Sequence, residues 1–137
     1  MTNKTITKEF QWDCAHRLHD IECSEEQNKE IFGKCNNMHG HTYKMFITVS
    51  KAGNNLVNGM IINFVELKKI VNELIVERFD HKVLNEDELY KDGRLTTCEN
   101  QVDDIWDLLD IPFQRIGILL QEIKLYETPT SYTTLTR

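Results

Sequence analysis

Cys35, His39 and His41 fall in one short segment, GKCNNMHGHTYKMFITV, running from Gly33 to Val49. Histidines two apart on a strand leave the same face of the sheet. Two imidazoles side by side supply two-thirds of a His₃ metal site, in which the fourth tetrahedral position stays open for substrate, as in catalytic zinc. The third ligand must come from elsewhere among the five histidines of the chain. His16, in AHRL after the first strand-like run, is better placed for this than His19 in the polar loop that follows. Cys35 leaves two chemistries open. A thiolate is an excellent zinc ligand, and beside a metal it is equally suited to act as a base or nucleophile. Spacing alone does not choose between them.

Two further sets of polar residues bear on chemistry. Asp80 and His81, in FDHKVLN, follow a helix directly, at an element end where functional residues tend to sit. Together they can supply an orienting carboxylate and a proton-transferring imidazole. Taken alone they have a plainer account, with Asp80 capping a turn and His81 favoured by the helix C-terminus. Glu127, in LYETPT, ends an apolar run just before a turn. It is either a solvated strand end or a bidentate acceptor for a ring that offers an N–H and an NH₂ side by side.

These residues need elements to hold them. TITKEFQW, Thr5–Trp12, and the run from His39 or Thr42 to Ser50 alternate and are rich in aromatic and β-branched residues, which predicts two strands. Between them HDIECSEEQNKEIFG reads as a loop with one short helix, and KAGNNLVNG as a turn. Asn63 and Glu66 have N-cap spacing before an apolar stripe of Phe64, Leu67, Val71, Leu74 and Ile75, predicting a helix to about Arg78. Thr96 and Glu99 form a capping-box pair that opens a second helix with Val102, Ile105, Trp106 and Leu109 inward and Pro112 just beyond its end. The tail predicts strands over Ile116–Tyr126 and Ser131–Leu135. That order points to an α+β domain spanning residues 1–137, a four-stranded antiparallel sheet with two helices packed on one face.

Composition narrows the class. The chain has 137 residues, 40% of them hydrophobic and 28% charged, which are globular values and suit one core. Its net charge of −6 and lack of a basic stripe argue against a nucleic-acid partner. No apolar run is long enough for the bilayer, and the first residues alternate without a signal-peptide core, so a cytoplasmic location is expected. In that setting Cys14, Cys23, Cys35 and Cys98 are expected as free thiols.

The motifs AHRL, EEQNKEIFGKCNN, HGHTYK, GMIINFVELKKIV, FDHKVLN, TTCEN with IWD, and KLYET, in this order over nearly the whole chain, resemble the 6-pyruvoyl-tetrahydropterin synthase family and its bacterial 6-carboxy-tetrahydropterin synthase relatives of queuosine biosynthesis. The resemblance implies the tunnelling fold, with trimers forming barrels that pair into homohexamers and active sites at subunit interfaces. It implies Zn²⁺ on His16, His39 and His41, and a proton-transferring base in Cys35. Asp80 and His81 would complete the catalytic set, and Glu127, with Thr97 nearby, would anchor a pterin ring. Cys98 stands where the family motif has a hydroxyl residue. The implied substrate is 7,8-dihydroneopterin triphosphate, which loses triphosphate. FGKCNN and GMIIN resemble the pyruvoyl-forming enzymes, whereas the short C-x₃-H-G-H spacing resembles the carboxy-forming ones. Two alternatives stand beside this: an aldolase-type pterin lyase, which typically carries glutamate in place of the cysteine, and a non-catalytic zinc- or pterin-binding module needing only the three histidines.

Overall fold

The protein is described from a computed structural model covering residues 3–137. Its strands are β1 (Ile6–His16), β2 (His39–Lys51), β3 (Lys82–Val83), β4 (Ile118–Thr128) and β5 (Ser131–Thr136). Its helices are α1 (Glu25–Phe32), α2 (Phe64–Val71), α3 (Glu77–Phe79) and α4 (Cys98–Arg115), with a π-helical stretch, Asn72–Val76, joining α2 to α3 into one rod. The sheet order is β3-β1-β2-β4-β5. Four strands are antiparallel neighbours as expected, while β3 adds a two-residue edge parallel to β1. So short a ladder carries no periodic signal in sequence. The architecture is α+β, and no described helix is long and apolar enough to cross a membrane.

Alternation sorts the sheet into two faces. Phe10, Trp12, Cys14 and His16 of β1 point inward, beside Tyr43, Met45, Ile47 and Val49 of β2. On β4 the inward Leu120 and Ile123 are three apart, because Gln121 is an extra residue at a bulge opposite Thr48 and Val49. The helices cover this inner face. Leu67, Val71, Ile75 and Phe79 form its deepest row on the α2–α3 rod. An α-helical row at every fourth residue drifts by about 40° per step, and the wider π turn offsets that drift. Phe64, expected on this stripe, is instead half exposed.

Two boundaries differ from the sequence expectation. The N-cap of α4 is Thr97, whose hydroxyl accepts from Asn100 N, so the capping position lies one residue later than Thr96. Thr96 is fully buried and turned inward. At the other end α4 runs through Pro112 to Arg115. A proline inside a helix costs about 3 kcal/mol, and burying Phe113 completely in the next position offsets a similar amount. The helix stops where Gly117 takes up φ +75°.

Candidate active site

The core row ends in imidazoles. His16, the last residue of β1, pairs directly across from His39, the first of β2, and His41 pairs across from Cys14. All three side chains extend the inner face just beyond Tyr43 and Cys14. Ring centroids are 4.7 Å apart for His16–His39, 5.2 Å for His16–His41 and 4.9 Å for His39–His41. One nitrogen from each ring lies within 4.8 Å of the others.

Hydrogen bonds set which nitrogens are available. His16 Nδ1 is 3.0 Å from the Thr96 carbonyl, and His39 Nδ1 is 2.6 Å from the Asn37 carbonyl. A carbonyl only accepts, so each Nδ1 donates and each Nε2 keeps its lone pair. The Nε2 atoms of His16 and His41 are buried and have no hydrogen-bond partner among the described residues. Leaving a buried acceptor unpaired costs about 1–3 kcal/mol, and a cation between the rings removes that cost. Burial, reinforced by the neighbouring His39, pushes His16 down to about 4. Burial likewise lowers His41, against the pull of Glu127. Three imidazoles converging on one point are a donor set that fits zinc.

Glu127 and Thr97 come to the same place from the other side. Glu127 sits at a bulge in the β4–β5 ladder, between Tyr126 and Thr128, and its Oε1 is 3.7 Å from His41 Nε2. It lines a cavity of about 250 Å³ together with Thr97, Cys98, Glu99 and Tyr132. A second cavity, about 650 Å³, opens from His41 and Glu127 toward Thr42, Lys44 and Phe46 on the outer face. Cys98 Sγ is turned to the Leu125 carbonyl at 3.3 Å, and burial pushes its thiol up. It therefore packs against β4 instead of presenting a polar group as a hydroxyl would.

Cys35 is exposed on the single 3₁₀ turn Gly33–Asn36 that follows α1. The turn is strapped to the chain just past His16: Leu18 N donates to the Cys35 carbonyl at 2.8 Å, and the buried Asn36 donates to the Leu18 carbonyl at 2.9 Å. Ser24 and Gln27 supply a capping box for α1, a signal present in SEEQ that sequence reading passed over. Cys35 is not among the donors that converge with the histidines.

Asp80 and His81 form a separate cluster with Asp13 on the outer side of β1. Asp80 Oδ1 accepts from His81 Nδ1 at 2.9 Å and from Asp13 N at 3.0 Å, and His81 N donates to the Asp13 carbonyl at 2.7 Å. The Asp13 amide and the His81 ring hold the Asp80 carboxyl below its ordinary range. His81 has a φ of +59°, uncommon for a residue with a side chain, and its imidazole is 78% exposed. The chain therefore brings together His16, His39, His41, Glu127 and Thr97, and presents Asp80–His81 outward as a hydrogen-bonded pair. Sequence reading missed Asp13 and Gln101 and gave Thr96 only a capping role; all three make contacts with residues distant in the chain.

The 6-pyruvoyl tetrahydropterin synthase family matches residues 5–137. The chain belongs to this family. Among its relatives, the 6-pyruvoyl tetrahydrobiopterin synthase of Poecilia reticulata is 39% identical over 90% of the chain and 83% of that protein. The 6-carboxy-5,6,7,8-tetrahydropterin synthase of Haemophilus influenzae is 29% identical over 93% of the chain and 94% of its own length. The structure of the Caenorhabditis elegans 6-pyruvoyl tetrahydropterin synthase superposes with a TM-score of 0.86 at 30% identity, covering 100% of this chain and 97% of that one. Membership in the synthase family agrees with the resemblance carried by the seven motifs, and the superposition agrees with the α+β fold.

Proposed function

We propose that the protein is a zinc-dependent lyase that acts on 7,8-dihydroneopterin triphosphate and eliminates triphosphate, with 6-pyruvoyl-tetrahydropterin as product. The observation that carries this reading is the convergence of three imidazoles, two with orphaned buried nitrogens, beside a carboxylate 3.7 Å away that lines a ring-sized cavity. Zinc held by His16, His39 and His41 would supply Lewis acidity toward the hydroxyls of the substrate side chain.

The other residues then have definite tasks. Glu127 accepts the paired N–H and NH₂ of the pterin edge, and Thr97 lines the wall beside it. That anchoring sets the side chain of the substrate toward the histidines. Cys35 takes a proton from the side chain. Asp80 accepts from His81 Nδ1 and so leaves Nε2 free to deliver or receive a proton. His81 projects outward from its own chain, which suits a homohexamer in which Asp80–His81 of one subunit completes the site of its neighbour. One tunnelling-fold domain in the cytoplasm is the setting we assign to this chemistry.

The 6-carboxy product is the second reading, favoured by the C-x₃-H-G-H spacing and by the Haemophilus influenzae relative. Mass analysis of the pterin product separates the two, because the carboxy product has lost two side-chain carbons that the pyruvoyl product retains. Recovery of an intact three-carbon side chain supports the first reading, and recovery of a pterin with a one-carbon carboxyl side chain supports the second.

A further inference from the structure

His16 is held on the side away from His39 and His41 by two acceptors, and that arrangement has a source in α4. The Thr96 carbonyl lies 3.0 Å from His16 Nδ1, and Thr96 Oγ1 lies 3.1 Å from the same atom. The single hydroxyl proton of Thr96 is directed to the Arg17 carbonyl at 3.0 Å. Toward His16, Thr96 is therefore an acceptor through both of its oxygens, and the proton must sit on Nδ1. The carbonyl is itself pinned. Gln101, buried one turn into α4, donates through Nε2 to the Thr96 carbonyl at 2.8 Å and to the Tyr43 hydroxyl at 3.2 Å. The Tyr43 ring in turn stands edge-on to His16 and His41, with centroids 6.3 and 5.7 Å away.

We propose that Thr96 and Gln101 are positioning residues of the metal centre, fixing His16 as the Nδ1–H tautomer so that Nε2 faces His39 and His41. The inference rests on the reading of those three histidines as metal ligands. Groups that hold the second nitrogen of a ligating histidine set its tautomer and ring orientation, and losing them typically costs 10–100-fold in metal affinity. The same contacts join the metal centre to the first turn of α4, which carries Thr97 and Cys98.

The test combines two measurements on the full chain. Long-range ¹⁵N–¹H NMR of the histidine rings, recorded on metal-free wild type, reads the tautomer without a variant and without turnover. The expected result is a proton on Nδ1 of His16, and a proton on Nε2 overturns the proposal. Zinc affinity, measured by competition with a chromophoric chelator, is expected to fall about 10–100-fold in Gln101→Leu, which frees the Thr96 carbonyl, and by less, toward the lower end of that range, in Thr96→Val, which removes only the hydroxyl acceptor. Thr96→Ser, which keeps the hydroxyl, is expected to stay close to wild type. Affinity within about threefold of wild type in both of the first two variants, against the 10–100-fold loss expected of a group holding a ligating histidine, overturns the proposal. Failure of the wild type itself to bind zinc would overturn the metal reading, and the metal-free tautomer separates that outcome from a failure of Thr96 to orient His16.

Discussion

His16 and His39 face one another on the final rung of the β1–β2 ladder, with ring centroids 4.7 Å apart and each Nδ1 tied to a carbonyl of a different loop. Antiparallel register fixes their distance, and the Thr96 and Asn37 carbonyls fix their orientation. His41, two residues along β2, then falls on the same face without any further device.

On the proposed function, ligand and catalyst are separable by mutation. His39→Ala and His41→Ala are each expected to lose stoichiometric zinc. Cys35→Ala is expected to retain zinc and lose at least about a hundredfold in turnover, in keeping with removal of a general base. Metal content by atomic emission, read beside the rate, checks both. Loss of zinc from Cys35→Ala would move the thiol into the ligand set.

Asp80 orients His81 through a 2.9 Å contact at Nδ1. Asp80→Asn presents either an amide N–H or a carbonyl at that position and disturbs the tautomer. Turnover is expected to fall about 10²–10⁴-fold with zinc content unchanged. Mixing Asp80→Asn with Cys35→Ala protein under subunit exchange is expected to restore part of the activity if sites are shared between subunits. No recovery in the mixed oligomer would argue that each chain completes its own site.

Acid stability of the metal-free protein should carry the signature of His16. Its ordinary value of 6.5 is lowered to about 4 in the fold. Between these values the unfolded chain binds more protons than the native one, so stability is full above pH 6.5 and declines as pH falls toward 4. The full effect is on the order of 3 kcal/mol. Urea melts at several pH values should show this decline, and His16→Gln should flatten it. An unchanged slope in that variant would assign the decline to other groups.

Glu127 lies at the junction of the histidines and the ring-sized cavity. Glu127→Gln keeps the shape but offers only one acceptor oxygen. Loss of a charge-assisted, bidentate contact is expected to weaken substrate binding about tenfold or more, worth roughly 1.5–3 kcal/mol. Substrate titration should reveal it as a rise in KM with zinc retained.

The parts of the site written in local pattern were legible from sequence. His39 and His41 alternate with outward residues on β2, and Glu127 follows an apolar strand, so their neighbourhood could be read from period two. His16 was reachable because β1 and β2 are adjacent antiparallel strands. The remainder depends on long-range contacts that leave no local mark. Thr96 meets His16 across 80 residues, and Asp80 meets the Asp13 amide across 67. The spacing of Thr96 to Glu99 imitates a capping box, but burial of Thr96 against His16 passes that role to Thr97. Pro112 resembled a helix end because the stabilising burial of Phe113 lies on its far side. The β3 strand consists of two residues and directly follows the bonds that tie Asp80 and His81 to Asp13, a contact made across 67 residues.

Incubating zinc-loaded protein with 7,8-dihydroneopterin triphosphate, and measuring free inorganic triphosphate together with the mass of the pterin product, decides whether this chain is the proposed lyase. Stoichiometric release of triphosphate is expected, with a pterin that keeps its three-carbon side chain, and no release by the metal-stripped protein. Intact substrate after incubation with zinc-loaded protein would contradict the proposed function.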